Sequence, residues 1–315
     1  MGQQVVRVSR PQAARRRFFP APQGAQSRHR ERLGWLLTAP TLLVVLAVAF
    51  YPVLRTFYLS FTNARLSGSR PVRFVGLENY IDLLSSPMFQ RALMNTLIFT
   101  VASVALETVL GLIIALTIHS NFRGRGLVRA AMLIPWAIPT VVSAQMWAWM
   151  YNDVFGVFND ILVTRLGLLP AKVAWIAEPA LALPAIIAID VWKTTPFMAL
   201  LLLAGLQVIP GDIYEAAYVD GADRRTQFWT MTMPLLRPAL MVALIFRTLD
   251  AFRVFDLPFV IKGTATETIT LSILARQTMI DLARLGEGGA IAVIIFLLLM
   301  AFVIIYTHLV RVEEV

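Results

Sequence analysis

The sequence predicts an all-α membrane protein with six transmembrane helices, both termini cytoplasmic, and a helical cytoplasmic loop between the fourth and fifth spans. Three observations predict it. Of 315 residues, 58% are hydrophobic, and the mean hydropathy of +0.70 is too high for a water-soluble domain. Apolar stretches recur at the length of about 20 residues that a bilayer crossing requires. Arginine and lysine gather in alternate connecting segments, which sets the orientation.

Residues 1–32 carry eight arginines, including Arg15-Arg16-Arg17, with Pro11, Pro20 and Pro22 and little to bury. They read as a disordered basic cytoplasmic tail, and a six-span membrane domain is expected over 33–311. A cleaved leader is not expected, because the following apolar run is span-length and no small-x-small site follows it. The six expected spans are Leu33–Leu54, Ala92–Ile118, Ala130–Met150, Pro179–Val208, Pro234–Val260 and Gly288–Val310. Pro135 and Pro139 kink the third. With the tail inside, the cytoplasmic segments hold Arg123, Arg125, Arg129, Arg224, Arg225, Arg237 and Arg311. The external loops 62–91 and 151–178 hold fewer positive charges relative to their length.

The formal charge of +9 is explained by this placement and by contact with anionic lipid headgroups, without nucleic acid. The absence of cysteine excludes disulfides and thiolate metal sites. His29, His119 and His308 are too scattered to form a metal centre. No G-x-x-x-x-G-K-[ST] is present, so the chain has no phosphate-binding loop of its own.

Segment 209–234 is the most informative part of the chain. Pro210-Gly211-Asp212 makes a turn in which Asp212 is the expected N-cap. Glu215-Ala-Ala-Tyr-Val-Asp-Gly221 follows as a short helix, broken at Gly221. A second short helix should then end at Pro234. One carboxylate, Glu215, beside Ala216 and Ala217 offers a charge on a surface low enough for close approach by a partner.

The spans also carry ionisable groups, which are costly in lipid and mark pairing or function. Arg247, Asp250, Arg253 and Asp256 recur every three residues with alternating sign, so neighbours can pair along one helix. Asp190 and Lys193 occupy neighbouring depths on the preceding span, and at 1.5 Å per residue the two aspartates lie roughly 12–17 Å below the outer end. Two readings stand. The charges neutralise one another and lock the helices, or they line a polar cavity that hydrogen-bonds a sugar, with Trp192 stacking on its ring. Glu107 is isolated in the second span and either pairs with a partner helix or lines the path. Gln145, Trp147 and Trp149 read as interfacial anchors.

The spacing E-A-A, three residues, Gly, nine residues, then Met231-Thr-Met-Pro234 resembles the EAA loop of permease subunits of binding-protein-dependent ABC importers. Met231 and Met233 stand where Ile and Leu are usual. Phe74-Val-Gly-Leu-Glu-Asn-Tyr80, Trp192-Lys-Thr-Thr-Pro-Phe197, Ala204-Gly-Leu-Gln207 and Asp250-Ala-Phe-Arg-Val-Phe-Asp256 extend the likeness. Together they resemble the carbohydrate subfamily, related to maltose and glycerol-phosphate permeases, and within it the trehalose permeases of mycobacterial importers. The resemblance implies that Glu215, Ala216, Ala217, Asp220, Gly221 and Pro234 couple to an ATPase subunit. It also implies a substrate path at Asp190, Trp192, Lys193, Phe197, Arg247, Asp250 and Arg253. The implied partners are a second homologous permease, two ATPase subunits that carry ATP and Mg, and an external sugar-binding protein. The implied location is the bacterial cell membrane, and the chain itself is neither an enzyme nor a holder of a cofactor. Charges stand here where maltose permeases have asparagines. The alternative is a self-contained proton-coupled transporter using Asp190 or Asp250, which usually shows internal repeats; none is evident.

Overall fold

A computed structural model describes residues 25–68 and 71–309, and these are helical with only two isolated β-bridges. Five helices among them are long and apolar enough to cross a membrane, or six if one bent pair forms a single span. The chain divides into two units at Arg55. In the first, α1 (Ala25–Val45) passes through a π-helical turn, Leu46–Phe50, into α2 (Tyr51–Ser60). The helix thus reaches back into the segment expected to be a tail, and residues 1–24 lie outside the described residues. The first span is Glu31–Ser60, longer at both ends than expected.

The second unit begins at Thr56. A compact corner follows α2, and the Phe74–Tyr80 motif builds it. Gly76 has φ +61°, a backbone state that costs glycine little. Asn79, at the start of α3 (Glu78–Ser85), donates to the carbonyls of Ser60 (2.8 Å) and Thr62 (2.9 Å). The Tyr80 hydroxyl lies 2.6 Å from Ser60 Oγ, and Phe61 stacks on Phe74 at 6.2 Å. The motif therefore ties the end of one helix to the start of the next.

The second span is α4 (Pro87–His119), which starts five residues earlier than expected because Ser86 caps it and Pro87 suits a first turn. The third is broken. The helices α5 (Arg125–Met132) and α6 (Ile134–Ala137) meet α7 (Thr140–Met150) at 90°. Ile138 and Pro139 are extended at the break, so the two prolines produce a corner rather than the expected kink. After α7, a loop carrying α8 (Val157–Asn159) and a π-helical turn is held by Asn159. That side chain donates to the carbonyls of Asp153 and Val173 and accepts from the Trp175 indole.

The fourth span, α9 (Pro179–Val208), is the most buried and forms the middle of the bundle. It packs on α4 through glycine contacts. A Cβ on Gly111 would meet the Met198 side chain at 2.7 Å, and one on Gly205 would collide with Ala239 of the fifth span. Small residues at such crossings let backbones approach closely, the main source of helix association in lipid. Met198, Leu202, Leu206, Leu236 and Ala243 fill the space between.

The 209–234 segment departs from expectation in two places. The helix α10 is Gly211–Val219 and its N-cap is Pro210; Asp212 lies inside the first turn. After Gly221 (φ +81°), α11 (Arg224–Gln227) is capped by Asp223 and does not stop at Pro234. It runs through a π-helical turn, Phe228–Thr232, into α12 (Met233–Phe252), and Pro234, with no N–H to donate back along the continuous helix, lies just past that turn. The fifth span is interrupted at Arg253–Phe255, resumes as α13 (Asp256–Lys262), and leads to α14 (Leu271–Arg276). Asn95 and Thr96 of α4 hold this turn by bonding to Ile269 O and the Leu271 amide. The last helix, α15 (Leu285–Leu309), is the sixth span; residues 310–315 lie outside the described residues.

Candidate functional site

The site lies where α4, α9 and α12 meet the two broken spans. Its centre is Arg247, whose side chain is 2% exposed. The guanidinium donates through Nε to Glu107 Oε2 and through Nη2 to Glu107 Oε1 (2.9 Å), a two-point fork. Nη2 also donates to Asp190 Oδ2, and Nη1 donates to Asp250 Oδ2 at 2.9 Å. One cation from the fifth span therefore holds carboxylates from the second, fourth and fifth. Thr194 Oγ1 lies 2.5 Å from Glu107 Oε1 and 2.6 Å from Asp190 O, so its single proton serves one of them at a time.

Glu107, isolated in sequence, thus pairs inside this same chain. The expected stripe of alternating pairs on the fifth span does not form. The helix ends at Phe252, so only Arg247 and Asp250 keep the one-turn spacing that lets them meet. Arg253 turns back to bond Leu249 O, and Asp256 starts a new helix. Both are exposed, and no ion pair of either is recorded among the described residues. Lys193 does not join the carboxylates either. Its Nζ donates to Ile138 O and lies 3.5 Å from Trp136 O, at the break in the third span.

Beside this cluster opens a cavity of about 470 Å³, within the range of small-molecule sites. Asp190, Lys193, Arg247, Asp250 and Arg253 all border it, as do Trp136, Thr140 and Asp256. Asp250 borders the opening with 70% of its side chain exposed, one carboxylate oxygen held by Arg247. Trp192 and Phe197 do not border it. The Trp192 ring packs edge-on against Trp147 at 5.3 Å, within an aromatic group that includes Tyr151 and Phe158. Phe197 lies behind Trp136, rings stacked at 5.7 Å. The aromatic residues that border the cavity are instead Phe255 and Trp136, the second of which the sequence reading passed over. The available signal was its place between Pro135 and Pro139, where a broken helix turns a side chain away from ordinary packing.

The residues of the 209–234 segment lie together, apart from this cavity. Glu215 and Ala216 are exposed on α10, while Ala217 is buried. A shallow groove of about 530 Å³ runs beside Glu215, bounded by Tyr214, Tyr218, Ala222 and Arg224. Tyr218 is 78% exposed and Val219 83%, which is unusual for large apolar side chains at a helix end. Asp220 and Gly221 form the turn, and Pro234 does not border the groove. The Asp223 carboxyl, at the start of α11, is held below the usual carboxylate range because the Thr226 hydroxyl and amide both favour its ionised form.

Residues 107–311 match the family described as binding-protein-dependent transport system inner membrane component. The chain belongs to that family. Members of it are permease components of transport systems, and the several spans described above agree. This family member is 46% identical over 277 residues to the trehalose/maltose transport system permease protein MalF of Thermococcus litoralis, covering 87% of this chain and 92% of the relative. It is 39% identical over 265 residues to the trehalose transport system permease protein SugA of Mycobacterium tuberculosis, covering 84% of each. Its fold matches a chain in the crystal structure of a bacterial alginate ABC transporter in complex with an alginate pentasaccharide-bound periplasmic protein. The TM-score there is 0.79 at 23% identity, over 91% of this chain and 96% of that one.

Proposed function

We propose that the chain is one permease half of an ATP-driven sugar importer in a bacterial cell membrane. It passes a disaccharide, trehalose in the first instance and maltose-like sugars as alternatives, from an external binding protein to the cytoplasm. The carrying observation is the polar cavity at the Arg247 cluster, in a chain whose relatives bear the names of trehalose and maltose permeases. Carboxylates are bidentate acceptors for neighbouring hydroxyls, and Asp250 and Asp256 offer theirs to the opening. Trp136 supplies an apolar face for a pyranose ring, and Arg253 a donor. Arg247 is fully engaged and holds the wall rather than the sugar.

The remaining assembly follows from what the chain lacks and what it exposes. It has no phosphate-binding loop, so two ATPase subunits carry ATP and Mg. Glu215, with Ala216, Ala217, Asp220 and Gly221, docks on one of them from the cytoplasmic side. A second, homologous permease closes the cavity, and ATP binding switches it between inward- and outward-facing forms. Family membership disfavours the self-contained proton-coupled reading.

The test is ATP hydrolysis by the co-expressed complex in lipid, with its binding protein loaded in turn with trehalose, maltose and glycerol-3-phosphate. Trehalose is expected to stimulate most. Stimulation by glycerol-3-phosphate alone would replace the disaccharide assignment. An assembled, ATP-competent complex that no loaded form stimulates would remove the sugar assignment. Failure to associate with any ATPase would return the secondary-transporter reading.

A further inference from the structure

We propose that Lys193 is a positioning residue that holds the broken third span in its bent form through two backbone carbonyls. The corner at Ile138–Pro139 leaves the last carbonyls of α6 without following amides, and Pro139 has no N–H to offer. At membrane depth irregular backbone survives where it lines a wet cavity or where protein groups satisfy it. Lys193, from the neighbouring α9, does so. Its Nζ donates to Ile138 O and lies 3.5 Å from Trp136 O. The residue is 8% exposed, and among the described residues no carboxylate forms an ion pair with it. Asp190, one turn earlier on the same helix, is taken by Arg247.

Phe197 completes the arrangement. It follows Lys193 by four residues and so shares its face of α9. Its ring stacks on Trp136 at 5.7 Å with an interplanar angle of 11°. One side chain grips the backbone of the corner, and the other grips the ring that the corner presents. Trp136 therefore stands in the cavity wall only while the corner is held. Removing the ammonium takes away the donor that fixes these carbonyls in place and frees the corner to take another backbone path. Lys193 acts on the cavity through Trp136, without bonding to what the cavity holds.

The absence of cysteine gives a direct test that does not depend on the sugar assignment. A single Thr140→Cys, on the cavity wall just past the corner, is introduced into the full-length chain in its host membrane. Its reaction rate with a membrane-impermeant thiol reagent is read on this chain alone. Lys193→Met keeps the unbranched apolar stem and removes the donor, whereas Lys193→Arg keeps a donor. The Met variant is expected to change the rate by about tenfold, the change that a modest shift in conformer population produces, and the Arg variant by less than about twofold. An unchanged rate in the Met variant, or an equal change in both, overturns the proposal. If Lys193→Met does not accumulate in the membrane, Lys193→Gln, too short to reach the carbonyls, is read by the same criteria. In transport, loss of a positioning residue lowers the maximal rate and leaves the rank order of sugars intact. A reordered preference would make Lys193 a sugar ligand instead, which also overturns the proposal.

Discussion

Arg247 stabilises the site only as long as its partners remain. Taking one ion out of water costs several kcal/mol, and its partners repay this only when the geometry is complete. Arg247→Met leaves Glu107 and Asp190 facing each other without a counter-charge. Removing one partner of a buried pair typically costs about 3–5 kcal/mol, and thermal melting of the purified protein in detergent should show a loss of that order. Glu107→Gln should lose less, because Thr194 still reaches the amide and Arg247 still has Asp190 and Asp250. Equal losses would mean that the cluster is not organised around the guanidinium. The sequence showed each of these groups as expensive and in need of a partner. It did not show that Glu107 and Arg247, 140 residues apart, are a pair, because one-turn spacing reports only on neighbours along a single helix. The i,i+3 pattern on the fifth span assumed a continuous helix, and the break after Phe252 removed two of its three contacts.

At the scale of elements, helix crossings and helix ends carry the consequences. Gly205 lies where α9 meets α12, with Ala239 and Leu236 in the space a side chain would need. Overpacking of this kind costs about 1–3 kcal/mol, so Gly205→Val should melt at a lower temperature and accumulate poorly in membranes, whereas Gly126→Val, in open space, should not. The start of α11 depends on an ionised Asp223. Its folded pKa lies below its unfolded value, so the contribution is fully present above the ordinary carboxylate range and is lost as pH falls through the depressed value. Hydrogen exchange should show the Thr226 amide losing protection on acidification, and Asp223→Asn should weaken that dependence. On α10, Glu215→Ala should leave the fold intact and reduce sugar-stimulated ATP hydrolysis; an unchanged transport rate would remove Glu215 from the docking surface. The positions of Gly221 and of the short helices were legible because glycine, capping and proline signals are local. The N-cap was misplaced by two positions, at Asp212 instead of Pro210, since a Pro-Gly-Asp turn offers more than one starting point and the backbone took the earliest. Pro234 was read as a stop, although the helix continues past it and takes up its missing N–H beside a π-helical turn.

For the molecule as a whole, apolar length anticipated the candidate crossings, five helices among the described residues or six with the bent pair as one span, and each expected span overlaps an observed helix. What length could not supply was shape. The 90° corner in the third span and the interruption in the fifth both come from short polar or proline-bearing segments whose effect depends on what neighbouring helices satisfy. The cavity exists because these two irregularities meet beside one charge cluster, and no local window of sequence contains them both.

The π-helical turn at Phe228–Thr232 carries one more consequence. Such a turn holds a residue beyond the number an α-helix uses over the same rise. Deleting a residue inside α12 would rotate everything on one side of the cut by about 100° and carry Arg247 away from its carboxylates or α11 away from its seat. Deleting Trp229 can instead be absorbed as the turn tightens to α-helix, with both flanks keeping their azimuth. Insertions and deletions in natural forms of this helix should therefore collect at this turn. A Trp229 deletion should still accumulate in membranes where deletion of Ala243 does not, giving the fifth span one place where its length can change while its faces stay fixed.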